Sequence, residues 1–225
     1  MESEVDRNNM ANRADRLTIW FTGAAVVVLL AGCSMSASGH GGAAATSTPT
    51  PTLISTSPGP APVQPQVDAP SDASSALSAA NGTIAADFKA FYDIFVGNIP
   101  GDSMSAFETG VMLKATNEFI DQTGDDPNSK GVSGSPNTWD VDQSASSAST
   151  LSSGGKSYPF GSVVSVGCLN TNMKFIYTKD APPAPPSKFA EKITVQYDAA
   201  KRVWLIVDEQ PAKTKDAAAI CAASH

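Results

Sequence analysis

Apolar positions fall into three regimes along the chain. Leu17 to Gly32 is an uncharged, largely apolar run, shorter than the roughly 20 residues a membrane-spanning helix needs. Ser34 to Asn81 is Ser, Ala, Gly, Thr and Pro with hardly a charge, a composition that buries too little to offset ordering entropy and leans toward extended polyproline II. Periodicity begins at Thr83. Ile84, Phe88, Phe91 and Phe95 recur on one helical face, with Thr83 as N-cap and Gly97 as stop. A second helical stretch runs from Ser103 to Gln122, with Met104, Phe107, Val111, Ala115 and Phe119 on one face. Ser105-x-x-Glu108 reads as a capping box, Gly110 as a split and Gly124 as the end.

The second half is β in character. Asp125 to Ser157 is polar and Ser/Gly-rich, broken only by a short strand at Asn137–Val141, and predicts an exposed flap or irregular hairpin. Ser162–Cys168 and Lys174–Thr178 read as strands with a turn at Leu169–Asn172, and the Pro-rich 182–186 segment reads as a linker. Ile193–Tyr197 and Val203–Val207 flank Asp198–Arg202 as a hairpin, with Trp204 placed for a cross-strand pair. Asp216 to Ala222 reads as a short helix or coil held by Cys221. The pattern predicts an α+β fold, N-terminal helices packed on a curved antiparallel sheet. Three segments follow: 1–32 as a leader, 33–82 as a tether and 83–225 as the globular domain. On that division, deleting residues 45–75 is expected to change stability by no more than about 0.5 kcal/mol.

Charge narrows the partners. A net charge of -7 and a pI near 4.7 speak against nucleic acid, which calls for a basic patch. The only histidines are His40 and His225, so no Ser-His-Asp triad assembles within the domain. The chain has no phosphate-binding Gly loop, no G-x-S-x-G, no H-E-x-x-H and no Cys/His metal spacing, so no catalytic, cofactor or metal residue is assigned. Asp121, Asp125, Asp126, Asp140 and Asp142 lie in loop-like sequence without calcium-loop spacing and read as solvated turns.

The leader carries the most specific signal. Arg13 and Arg16 precede the apolar run, and Leu30-Ala31-Gly32-Cys33 ends it. This resembles the lipobox of bacterial lipoproteins. The resemblance implies a diacylglyceryl group on the Cys33 thiol, fatty acylation (palmitate) there, cleavage before Cys33, and a lipid-anchored protein on the extracytoplasmic side of the cell membrane. Glu2, Glu4 and Asp6 are unusual in an export signal, which points to Met10 as the start. Thr46, Ser47, Thr48, Thr50 and Thr52 resemble the O-glycosylated tethers of actinobacterial lipoproteins; a bare linker is the other reading. Removal of residues 1–32 leaves 12 Lys and Arg against 18 Asp and Glu, so the lipid rather than the acidic domain is expected to make membrane contact. With Cys33 lipidated, Cys168 and Cys221 remain as an even pair, and an oxidising compartment favours a disulfide over a metal or redox pair.

Helices followed by a curved antiparallel sheet resemble, in element order over residues 84–210, the α+β cone of nuclear-transport-factor-like (cystatin-like) domains. The resemblance implies a concave sheet closed by helices and a role in binding or assembly. Three functions stay open. One is a binding or scaffold module for an envelope protein or small apolar ligand. Another is a metal-independent enzyme using buried carboxylates. The third is an accessory component of a secretion or conjugation apparatus.

Overall fold

Helix α1 (Ala73–Phe95) lies across the sheet on small residues. Ala76, Ala80, Thr83, Ile84, Asp87 and Ala90 form its buried stripe, and the two alanines let the helix axis come close to the strands. A computed structural model describes residues 58–126, 129–176, 187–212 and 217–222. The leader, Cys33 and the Pro-rich 182–186 segment lie outside the described residues. The helix starts ten residues before the expected Thr83. Asp72 is the N-cap, its Oδ1 accepting from the Ser75 amide at 2.8 Å, and that bond holds its carboxyl below the usual value. Thr83 sits mid-helix and donates its hydroxyl to the Ala79 carbonyl. Gly97, at φ 77°, ends the helix as expected.

A 3-10 helix (Gly101–Ala106) and helix α2 (Gly110–Asp125) follow. The expected common face does not survive the joint between them. Met104 and Phe107 are buried, yet Val111 is 50% exposed, and α2 instead buries Met112, Thr116, Ile120 and Thr123. A 3-10 helix advances three residues per turn, and Gly110 at φ 60° breaks the chain's course, so the phase resets. Ser105 does not cap α2; its hydroxyl donates to the Asp102 carbonyl. Phe91, Phe95 and Phe119 gather with Phe175 in a ring cluster at centroid distances of 5.0–6.1 Å.

Among the described residues seven strands follow: β1 (Val132–Gly134), β2 (Thr138–Val141), β3 (Ser147–Ser153), β4 (Lys156–Thr171), β5 (Met173–Phe175), β6 (Ser187–Asp198) and β7 (Val203–Pro211). The main sheet runs β2-β4-β6-β7, and β3 shares the β4 edge with β2. All its pairs are antiparallel, which gives the α+β architecture the pattern predicts. About half of the polar stretch is thus strand. Gly154 and Gly155, at φ 58° and 73°, are the two positive-φ positions of a type I′ hairpin turn, and they fold β3 onto β4. Leu169–Asn172 is not a turn: β4 runs through Thr171, and β5 then leaves the sheet to pair with β1. The β6–β7 hairpin forms as predicted, with Tyr197 opposite Trp204. Asp198 Oδ1 accepts from the Ala200 and Lys201 amides in the turn. A bulge between Thr194 and Val195 adds curvature.

The core between α1 and the sheet joins Ile84 to Val163, Ile193, Val195, Tyr197, Trp204 and Ile206. One buried polar chain crosses it. Trp139 Nε1 donates to Ser165 Oγ at 3.0 Å, and Ser165 donates to Asn81 Oδ1 at 2.7 Å.

Residues 58–71, read from the sequence as part of the tether, make contacts with the folded domain. They run extended along the β7 edge as a strap. The Gly59 amide donates to Asn98, and Gln64 Nε2 reaches the carbonyls of Ala106 and Trp204 at 2.6 and 2.8 Å. The Val67 amide donates to Arg202, Tyr197 OH donates to the Val67 carbonyl at 2.9 Å, and Asp68 pairs with Arg202 at 2.5 Å. Pro60, Pro62 and Pro65 have no N–H to give the sheet, so the Gln64 side chain supplies the donor that the backbone lacks.

The strap has a pH signature. Burial pushes the Tyr197 phenol above its ordinary value of 10.0. The folded state therefore holds that proton more tightly than the unfolded one, and the stability it contributes is complete below pH 10 and lost as pH rises further. Urea unfolding followed by tryptophan fluorescence should show an alkaline decline that Tyr197→Phe diminishes. An identical decline in the variant would assign it to other groups.

Candidate binding groove and the disulfide beside it

Ser165 faces α1, so alternation along β4 turns Val166 and Cys168 to the opposite face. There Cys168 is bonded to Cys221 of helix α3 (Ala217–Ala222), 53 residues on. Cys168 is fully buried and Ile220 nearly so. The sequence gives α3 little else to hold it: the helix is short and mostly alanine, so the disulfide fixes it against β4 and β6.

Beside α3 is an open groove of about 710 Å³. Its floor is Val166 and Lys192, partners across β4 and β6. One wall is the Asp142–Ala145 turn, the other Gln210–Ala212, and Ala219 and Ile220 close the helix side. The turn sits between β2 and β3 and is tightly built. Asp142 Oδ1 accepts from the Ser144 amide at 2.9 Å, the Ser144 hydroxyl at 2.6 Å and the Ala145 amide at 3.2 Å. The Ser144 hydroxyl and Ala145 amide hold the Asp142 carboxyl below its usual value, so it is an anion across the neutral range. The groove thus mixes apolar side chains (Ala145, Val166, Ala219 and Ile220) with an anion, a lysine and an amide. Its volume is that of sites which take drug-sized ligands or a short peptide stretch. A second gap, of about 250 Å³, lies between the strap and the sheet and is lined by Val63, Gln64, Ala106, Val203 and Leu205 among others.

The acids singled out in the sequence stay apart. Asp121 and Asp125 lie on α2, with Asp126 as its C-cap. Asp140 accepts from Asn170 Nδ2 at 2.8 Å, and Asp142 belongs to the groove. Among the described residues no three His, Cys, Asp or Glu side chains gather to hold a metal. Buried carboxylates occur at Asp87, Glu108 and Glu191. Glu108 accepts from Thr116 Oγ1 at 3.0 Å, and none of the three lines either groove. Ser165 is equally committed, since its proton goes to Asn81, an amide that takes up no proton at neutral pH. No helix among the described residues is long and apolar enough to cross a membrane.

No protein-family model matches the chain, and no curated protein does. Among solved structures it is similar to the intermembrane space region of the chloroplast protein ARC6. The two are 12% identical with a TM-score of 0.39, over 67% of this chain and 100% of that one. So slight a likeness says nothing of function, and the chain's own residues carry that reading.

Proposed function

We propose that the chain is a lipoprotein of the bacterial cell envelope, anchored by lipid at Cys33 on the extracytoplasmic side, and that its domain is a binding module. The observation that carries the binding role is the groove beside α3. It sets Val166, Ala219 and Ile220 beside Asp142, Lys192 and Gln210 and is braced on one side by a helix tied down through a disulfide. The Cys168–Cys221 bond fits an oxidising compartment. Helices preceding a curved antiparallel sheet are in keeping with the nuclear-transport-factor-like cone, whose relatives bind or assemble. The groove takes an apolar segment of another envelope protein or a small apolar ligand. None of the buried carboxylates lines either groove, in keeping with a binding role.

Two measurements test this. Cys33→Ser should abolish lipid labelling and leave the leader uncut, and intact mass of the mature wild type should begin at Cys33 with acyl mass attached. An unmodified N-terminus elsewhere would refute the anchor. A photo-crosslinking residue at Ala145 should capture a reproducible partner in intact cells, or a small molecule should co-purify with the protein. Neither appearing would remove the groove from consideration.

A further inference from the structure

The β7 edge is covered in three places, each by a different device. The Phe107 carbonyl and Thr109 amide bracket Ile206, the Gln64 side chain caps the Trp204 carbonyl, and the Val67 amide caps the Arg202 carbonyl. The first is part of the helical layer. The other two belong to the strap, which is joined to α1 only through Ala69, Pro70 and Ser71 before the Asp72 cap.

The strap is incompletely seated. The gap of about 250 Å³ separates it from Val203 and Leu205. Val63 is 89% exposed, and the Asp68 partner of Arg202 is 93% exposed. Exposed ion pairs contribute little, about 0–1 kcal/mol, so the Gln64 amide and the Val67 slot supply most of the hold. A segment held at so few points, on a hinge containing proline, can leave and be replaced.

We infer that the β7 edge is a peptide-binding site filled in cis by residues 58–68, and that its partner in trans is the same segment of a second copy. The recognition pattern is Gln64-x-x-Val67-Asp68: a side-chain amide forked between two carbonyls, then a backbone amide and apolar side chain, then a carboxylate for Arg202. A second copy carries that pattern by identity, which is the condition for domain swapping. The Val63 side chains, left in solvent in the single chain, gain an apolar environment where two straps cross. The inference stands apart from the groove beside α3, which shares no lining residue with the gap under the strap.

The test uses the full-length chain and a fluorescent peptide of residues 58–71 as probe. Full-length Gln64→Ala/Asp68→Ala loosens the cis strap and should bind the peptide at least tenfold more tightly than wild type, whose own strap competes. An unlabelled peptide carrying the same two substitutions should fail to displace the probe. Sedimentation of the wild-type chain at rising concentration should reveal a dimer, and the double variant, whose straps cannot seat in trans, should form less of it. Equal binding to both proteins, or none to a variant whose circular dichroism is native, would overturn the site. A tenfold difference with wild type monomeric throughout would overturn the second copy as occupant. Should the double variant lose its fold, Gln64→Ala alone removes the fork to Ala106 and Trp204 and leaves the other contacts in place. A gain in peptide affinity over wild type, or its absence in a natively folded variant, then decides the same question.

Discussion

Replacing Cys168 and Cys221 together by alanine is expected to cost about 4 kcal/mol of stability, the chain-entropy estimate for closing a loop of that length. The bond spans 53 residues and ties α3, whose Ile220 is also buried, to β4. Domains are commonly stable by only about 5–15 kcal/mol, so this loss is a large share of the total. It should be uneven. α1 and its core partners Ile84, Val195 and Trp204 lie on the other face of the sheet, and their amides should keep slow hydrogen exchange. α3 and the neighbouring part of β6 should exchange quickly. Thiol titration of the non-reduced protein should find neither Cys168 nor Cys221 free. Two free thiols, or a double variant as stable as wild type, would count against the bond as a structural element.

Starting the chain at Asp72 rather than Pro58 is expected to destabilise it by about 3 kcal/mol. Hydrogen bonds from Gly59, Val67, Tyr197 and twice from Gln64 disappear. Each contributes about 1 kcal/mol net, part of which water restores at the newly opened edge. Val67 also leaves the side of the core. The comparison is of denaturation midpoints at constant slope. A difference under about 0.5 kcal/mol would mean that the strap rests on the domain without holding it. The truncated chain should also aggregate more readily, because the carbonyls of Arg202 and Trp204 then face solvent on an open strand edge.

What the sequence made legible follows from which physical signals are local. The β6–β7 hairpin was readable because Ile193, Val195 and Tyr197 alternate inward and Asp198 caps its own turn. Of the face read from spacing, Ile84 is buried while Phe88, Phe91 and Phe95 are only partly so. The buried stripe is set by Ala76, Ala80, Thr83, Asp87 and Ala90 beside Ile84, and the helix starts ten residues earlier than Thr83, in alanines and serines that carry no strong period. β3 was hidden because Ser147–Ser153 lies on an edge and shows little burial along most of its length, so no alternation marks it. The strap was hidden because a Pro-rich segment reads as solvated unless the acceptors waiting for Gln64 are known, and those lie 42 and 140 residues away. The cysteine pair followed from counting. The groove did not, since its walls come from the Asp142 turn, β4, β6, the end of β7 and α3, segments that share no motif.

The strap has a mechanical consequence. It is fastened at Gly59 beside Asn98, just past the end of α1, and it ends at Asp72, where α1 begins. It therefore runs back over the length of that helix, which for 23 residues is about 34 Å. A pull on the N-terminal chain meets the Gly59 bond first, then the Gln64 fork, then Val67, then the Asp68–Arg202 pair, and reaches the helix only when all four have parted. Load arriving that way is taken by one attachment at a time, so the strap yields at low force in steps and lengthens the linkage while α1 and the sheet stay folded.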